Sequence, residues 1–227
     1  MFRNTFVTLF FLLFFEAGTC AAASLDIGFN YSRGVSEERG IDVSFSIEKS
    51  SFSLGADFRY SKLDRDVSVN NGGFRVGYDS QVSKKWFAWT FNQSRYDRVQ
   101  KINFENFFGG GPKYLLKNSA AFSTSLSIGI LQHHVDYEGG KNENLARLSA
   151  RHKMKWQISK SMNFKFVGFY QPDISSFSDY IVTGESELGH TISEKISVKM
   201  KVNETYRSVT ETKHNDIITS FVLSVNF

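Results

Sequence analysis

The chain has 227 residues, of which 41% are hydrophobic, 22% charged and 15% aromatic, and it contains only two prolines. This composition suits one folded domain and excludes a disordered chain. The net charge of +4 is spread along the sequence without a block of like charge, so nothing indicates a nucleic-acid partner. The single cysteine cannot form an internal disulfide or complete a zinc site, and we predict no cofactor and no metal.

The N-terminus has the features of a secretory signal peptide. A positively charged residue is followed by the apolar run Phe6 to Phe15, and three alanines end at Ala23. The run is well short of the roughly 20 residues that a membrane-spanning helix needs. We therefore predict a signal peptide over 1–23, export through the Sec pathway, and a mature domain over 24–227. A membrane anchor and a lipoprotein signal at Cys20 are the alternatives.

The rest of the chain alternates apolar and polar residues at a period of two, which is typical of β-strands. About twelve such segments follow one another, an even number as in single-chain outer-membrane barrels. Examples of their apolar faces are Phe87, Trp89 and Phe91; Ile102, Phe104 and Phe108; and Leu126, Ile128 and Ile130. We expect these faces to contact lipid. A soluble lipocalin-like barrel, with the apolar set inside, is the alternative.

The connections and the aromatic residues support the membrane version. Short turns alternate with longer connections, predicted for example over 34–40 and 63–72, as in porin-like barrels with both termini in the periplasm. Aromatic residues cluster at both levels where belts meet the membrane surfaces. They are Tyr31, Tyr60, Tyr170, Tyr180 and Tyr206 at the outer level, and Tyr78, Trp86 and Trp156 at the inner level. The predicted fold class is an all-β, antiparallel, up-and-down transmembrane β-barrel of about 12 strands.

If the apolar faces meet lipid, the polar faces line the lumen. The predicted lumen-lining residues are Arg147, Arg151, Lys153, Lys155, Lys165, Glu185, Glu187, Lys199 and Lys201. We expect Glu185 and Glu187 to pair with Lys165 on one side and with Lys199 and Lys201 on the other. The excess of basic residues favours small anions in transit, whereas a salt-bridge network could equally fill and stiffen the barrel. The number of strands does not decide between these two interpretations, because barrels of about eight strands are filled by side chains and barrels of about sixteen enclose a channel.

The spacing of histidine and serine does not favour an enzymatic barrel. A nucleophilic pair needs both side chains within hydrogen-bond reach, with a third group orienting the base. No histidine has a serine two residues away on the same strand, although cross-strand pairs remain open. His133 and His134, with Asp136 and Glu138, suggest a metal site in a loop, for which a hydrated polar loop is the simpler interpretation.

Several stretches carry a resemblance to a known family. They are Gly55 to Lys62 (GADFRYSK), Lys85-Trp86-Phe87, Ser94 to Gln100 (SRYDRVQ), and Gly109-Gly110-Gly111 with Tyr114. Together they resemble the salt-induced outer-membrane protein family (YdiY-like), built on a domain of unknown function. The resemblance covers nearly the whole mature chain and implies a Gram-negative outer-membrane β-barrel, without a substrate or catalytic residue to transfer. The sequence departs from the family at Pro112-Lys113, where a glycine is more common.

The last segment ends on an aromatic residue, like the signal that the barrel-assembly machinery reads. Its alternating residues are Phe221, Leu223, Val225 and Phe227. We therefore predict an outer-membrane protein that is not an enzyme, either a structural envelope component or a narrow passive channel for small solutes. The alternative is an enzyme that modifies lipid or lipopolysaccharide at the rim. The expected partners are outer-membrane lipid, lipopolysaccharide and, during insertion, the assembly machinery.

Overall fold

A computed structural model describes the barrel and most of its connections. The described residues are 22–33, 37–49, 51–63, 66–209 and 215–226. The predicted signal peptide, apart from its last two residues, and the terminal Phe227 lie outside them. Ala22 and Ala23 are the first two residues of the first strand.

Twelve strands account for most of the described chain. Their bounds are β1 Ala22–Arg33, β2 Glu37–Lys49, β3 Phe52–Leu63, β4 Asp66–Gln81, β5 Trp86–Asp97, β6 Ile102–Asn118, β7 Phe122–Tyr137, β8 Asn142–Gln157, β9 Met162–Pro172, β10 Tyr180–Thr191, β11 Ile196–Arg207 and β12 Asn215–Asn226. The described residues contain no helix long and apolar enough to cross a membrane.

Each strand pairs antiparallel with its sequence neighbours, and β1 also pairs with β12, so the sheet closes into a barrel. The predicted fold class, an antiparallel up-and-down transmembrane β-barrel of 12 strands, is confirmed. We call the end that holds the turns at 82–85, 119–121, 158–161 and 192–195 the turn end, and the opposite end the loop end. Both described ends of the chain lie at the turn end.

The predicted contrast between short and long connections is wrong in four places. The segments 95–101 and 135–144, predicted to be long connections, contain turns of only four residues, 98–101 and 138–141, as short as the turn at 82–85. β2 already begins at Glu37 and β4 at Asp66, so the segments 34–40 and 63–72 are largely strand. The reason is backbone pairing: Tyr31 faces Arg39 and Ser61 faces Val69, which satisfies their peptide groups even where the side chains are polar.

The outer wall is apolar. Ile128 is 57% exposed and Phe221 is 60% exposed, and many neighbours on the same face resemble them. A continuous exposed apolar band of this kind is the surface that a lipid-facing barrel presents. At the loop end Tyr180 contacts Tyr170 and Tyr206, with ring centroids 5.7 and 5.9 Å apart, and at the turn end Trp86 lies 4.9 Å from Tyr114.

β5 presents its aromatic face to the lumen, which is the opposite of the prediction. Trp89, only 5% exposed, is paired with Asp79 and Gly111, while Phe91 is paired with Gly109. The rings fit inside because the surrounding wall is rich in glycine: a Cβ atom at Gly129 would lie 2.6 Å from Cζ2 of Trp89. Such a Cβ would displace the indole, so glycine is required there by space and not by conformation.

Ile102 is a second correction of the same kind. The sequence pattern predicts that Ile102 shares the lipid face with Phe104 and Phe108, but it is 3% exposed and paired with Tyr137. The register of β6 shifts between Ile102 and Phe104. An irregularity of this kind reverses the side to which the preceding residue points.

Candidate functional site in the barrel lumen

The predicted lumen residues occupy the face opposite the exposed apolar positions of their strands. Contacts across the interior place them there: Lys155 Nζ of β8 lies 3.7 Å from a carboxylate oxygen of Glu48 on β2, at the opposite side of the barrel. Lys165 Nζ lies 2.9 Å from Glu187 Oε1, as the sequence predicts. Glu185 acts electrostatically on Arg151.

Lys199 and Lys201 do not pair with Glu185 and Glu187, the partners predicted from the sequence. Both ammonium groups donate to Asp26 of β1, at 3.0 and 2.7 Å, instead of to Glu185 and Glu187 of the adjacent β10. Lys199 also donates to the Ser224 hydroxyl at 2.8 Å. The closure of β1 against β12 brings this carboxylate into reach, and pairing it with two lysines offsets the cost of enclosing a charge.

Arg147, the remaining predicted residue, belongs to a buried group near the loop end. We call this group the lumen cluster; its members are Arg95, Glu105, His133, Arg147 and Arg207. Glu105 lies at its centre and is completely buried. Its carboxylate accepts hydrogen bonds from His133 Nε2 at 2.7 Å, from Arg207 Nη2 at 3.3 Å and from Arg95 Nε.

His133 is neutral in this arrangement, with its proton on Nε2. Arg147 Nε, which can only donate, lies 3.0 Å from Nδ1 of the imidazole, so Nδ1 must accept. The proton on Nε2 then faces the Glu105 carboxylate. Phe107 stacks on the imidazole ring at 4.1 Å with an interplanar angle of 6°. His133 is thereby fixed in position, tautomer and charge.

Arg147 also joins the cluster to the connection between β9 and β10. Its Nη1 donates to the carbonyl oxygens of Gln171 and Asp179, at 3.1 and 3.3 Å, and its Nη2 lies 3.0 Å from Asp179 Oδ1. Asp173, at the start of the same connection, accepts hydrogen bonds from the Ser175 hydroxyl and backbone N–H at 2.5 and 2.6 Å. The segment 173–179 is therefore tied to the lumen by Arg147 and folded onto itself by Asp173.

Replacing Asp173 with Ala should loosen this segment. Hydrogen bonds, above all that from the Ser175 hydroxyl, hold the pKa of Asp173 below its usual value. A carboxylate with a lowered pKa stabilises the fold above its unfolded pKa and loses that effect as the pH falls through the folded value. In the unchanged protein the segment should therefore stay closed at neutral pH and open only in strong acid.

The measurement is limited proteolysis at neutral pH by a protease that cleaves after aromatic residues, since Phe177 in this segment is 59% exposed. We expect cleavage in the Asp173→Ala protein to be faster by about fivefold. Glu138→Ala in the adjacent connection is the control and should leave the rate unchanged. Equal rates for the unchanged protein and Asp173→Ala would contradict the assigned role.

An apolar group packs against the lumen cluster. Trp89, Phe107, Leu131 and Ile181 form one buried cluster, with Phe91 packed against it. Leu131 is completely buried, and the Trp89 indole donates from Nε1 to the Pro112 carbonyl at 3.2 Å. We call these five residues the lumen plug. They come from β5, β6, β7 and β10, so the plug reaches from one side of the lumen toward the other.

The histidines do not assemble a hydrolytic site in the part of the chain that the structure describes. His152 Nε2 lies 2.9 Å from the Thr124 hydroxyl, and the side chain lines a groove of about 820 Å³ on the outer wall. A hydrolytic site would also need a group that orients the imidazole, but no described residue forms a hydrogen bond with Nδ1 of His152. His134 Nδ1 is 2.8 Å from Asn144 Oδ1, with no described hydroxyl hydrogen-bonded to its ring. His133 points inward and His134 outward, so they share no site, and no described group of three His, Cys, Asp or Glu side chains could hold a metal.

The sequence pattern places Arg147 in the lumen but does not predict the cluster: it misses Glu105 and Arg95, and it suggests His133 only for a metal site. The available signal was Glu105 itself, a carboxylate in the aromatic segment Asn103 to Phe108. An acidic residue there must have cationic partners if it is enclosed. The alternation places Glu105 on the face opposite Phe104 and Phe108, but it does not identify partners that lie on other strands.

A closed antiparallel barrel with an apolar outer wall and an ionic interior defines the class of transmembrane β-barrels. Within that class, the chain belongs to the family described as a protein of unknown function, DUF481, which matches residues 25–227. No curated protein matches the chain.

Two solved structures show the same fold. The NanC porin is 10% identical, with a TM-score of 0.59 over 89% of this chain and 98% of the porin. A bacterial polysaccharide outer-membrane secretin is 6% identical, with a TM-score of 0.54 over 93% of this chain and 100% of that one. At these identities the likeness concerns the fold alone.

Proposed function

We propose that this protein resides in the outer membrane of a Gram-negative bacterium, with the turn end toward the periplasm. The apolar outer wall, the two aromatic levels and the family support this location. The N-terminal segment 1–23 then acts as the export signal for the Sec pathway, and the chain is inserted by the barrel-assembly machinery, which recognises Phe221, Leu223, Val225 and Phe227. Outer-membrane lipid and lipopolysaccharide surround the barrel.

Its activity is that of a narrow passive channel for small solutes with a positively biased lumen. The observation that carries this proposal is the contact between Glu105 of β6 and Arg207 of β11, which lie five strands apart in a barrel of twelve. Facing walls therefore meet inside the barrel, next to the lumen plug. A lumen restricted in this way suits small solutes and excludes the large ones that a wide porin admits.

The test is conductance of the purified protein in a planar lipid bilayer. We expect small, anion-preferring current steps, because the interior carries more cations than carboxylates. Large steps without ion preference would contradict a narrow lumen. Solute uptake by liposomes that contain the protein, graded by solute size, gives an independent measure of the same restriction.

A structural envelope component is the second candidate, and the completely buried Glu105 favours it. A fully hydrogen-bonded ionic network stiffens a barrel whether or not solutes pass. A protein without conductance, and without liposome uptake of the smallest solutes, would support this candidate. Hydrolysis of lipid or lipopolysaccharide that is lost on His134→Ala or His152→Ala would overturn both passive functions and the proposal that the protein is not an enzyme.

A further inference from the structure

The half of the lumen toward the turn end forms a space that we call the cationic vestibule. Besides Lys199 and Lys201, which are paired with Asp26, its cations are Arg75, Lys113, Arg151, Lys153, Lys155 and Lys165. Three of them have carboxylate partners: Lys113 with Asp79 at 2.5 Å, Lys165 with Glu187 at 2.9 Å and Lys155 with Glu48 at 3.7 Å. Lys155 and Lys165 are 45% and 47% exposed, so water enters the vestibule from the turn end.

The other three cations, Arg75, Arg151 and Lys153, have no hydrogen bond or ion pair to any residue that the structure describes. Arg151 lies on β8 and Arg75 on β4, four strands away, so the two side chains enter the lumen from different walls, and their charges repel each other. Lys153 follows Arg151 on the same inward face of β8.

The Arg151 side chain is fixed in position, but no carboxylate pairs with its positive charge among the described residues. Its guanidinium carbon lies 5.1 Å from the centre of the Phe169 ring, which fixes the side chain, and its Nε is buried without an acceptor among the described residues. The charges that act on it include Arg75, Asp79, Glu185 and the neighbouring Lys153. Of these, Asp79 is already paired with Lys113. Two arginines and a lysine therefore share a partly enclosed space with two carboxylates that form no ion pair among the described residues: Glu185, which acts on Arg151, and Asp57, which acts on Arg75.

We propose that Arg75, Arg151 and Lys153 form a binding site for a small oxyanion with two or more negative charges, of the phosphate or dicarboxylate class. Guanidinium groups present paired N–H donors that match the oxygens of such anions. A bound oxyanion supplies the acceptor that Arg151 Nε lacks and the negative charge that the vestibule lacks. The inference deepens the proposed channel function, but binding itself requires only that the turn end is open.

The test measures binding and transport separately in the full exported chain. Calorimetric titration of the detergent-solubilised protein with inorganic phosphate, with succinate and with chloride measures binding. Inhibition of chloride current by added phosphate or succinate measures occupancy in the bilayer. We expect phosphate or succinate, but not chloride, to bind, and Arg151→Gln to weaken that binding by about tenfold. The preferred probe identifies which of the two oxyanions the site accepts.

Lys165→Gln is the matched control, because it removes the same charge from the same vestibule at a cation that already has a partner. It should change binding much less than Arg151→Gln. Arg75→Gln on the facing wall should repeat the loss and serves if Arg151→Gln does not fold. Equal effects of Arg151→Gln and Lys165→Gln would overturn the site in favour of a diffuse positive field.

The two proposals fail in different ways. Conductance without oxyanion binding would overturn the site and leave the channel. Oxyanion binding that depends on Arg151, in a protein without conductance, would support the site and overturn the channel. Binding of chloride as strong as that of phosphate and succinate would overturn the proposed ligand class.

Discussion

Replacing Glu105 with Gln should lower the free energy of unfolding by about 3–5 kcal/mol, because it removes the one carboxylate that serves three donors in the lumen cluster. The amide keeps the shape of the side chain but not its charge. Arg95 and Arg207 would then remain beside each other without their shared carboxylate. Urea unfolding of the lipid-reconstituted protein, followed by the loss of its heat-modifiable band, measures the change.

Glu138→Gln is the matched control for this loss. Glu138 forms a salt bridge with Arg98 at 3.7 Å, but both side chains are about half exposed. An exposed pair of this kind contributes roughly 0–1 kcal/mol. If Glu105→Gln lowered the free energy of unfolding no more than Glu138→Gln, the lumen cluster would not be holding the facing walls together.

The barrel itself was predictable from the sequence because each strand carries its own signal. The period of two in Leu126, Ile128 and Ile130 requires no knowledge of any neighbour, and the structure places all three on the exposed outer wall. The even number of such segments, together with the aromatic residues near their ends, then indicated closure and a membrane environment.

The same period does not reveal which face is inside, and β5 shows the consequence. Phe87, Trp89 and Phe91 alternate with smaller and more polar residues as any lipid-facing set would. What reverses them is the glycine content of the adjoining strands, where Gly109 and Gly111 leave room for aromatic rings. That information lies in the register between strands, and one strand does not contain it.

Ionic partners were harder still to predict, because they depend on closure of the whole barrel. Lys199 is bonded to Asp26, 173 residues away in the chain, and Glu105 to Arg207, 102 residues away. The predicted pair of Lys165 and Glu187 formed because their strands are sequence neighbours and directly paired. Pairs on neighbouring strands can be predicted from a sequence, whereas predicting contacts across a lumen requires the tilt and stagger of all twelve strands.

The orientation of β5 also makes the most direct prediction about the lumen. Replacing Trp89 with Ala should destabilise the protein by about 3–5 kcal/mol and raise its conductance, because the indole is 5% exposed and packs in the lumen plug. The substitution would remove the stacking of the indole on Phe91, whose ring centroid is 5.7 Å away, and its hydrogen bond to the Pro112 carbonyl. Urea unfolding measures the first effect and single-channel recording the second.

Trp86→Ala provides the comparison within the same strand. Trp86 is 49% exposed on the outer wall at the turn end, where it contacts Tyr114, so its loss should cost roughly 1 kcal/mol and leave the current unchanged. The two substitutions thus compare a side chain on the outer face of β5 with one on its lumen face. If Trp89→Ala behaved like Trp86→Ala in both measurements, the aromatic face of β5 would contact lipid after all, and the lumen would be wider than the packing of the plug requires.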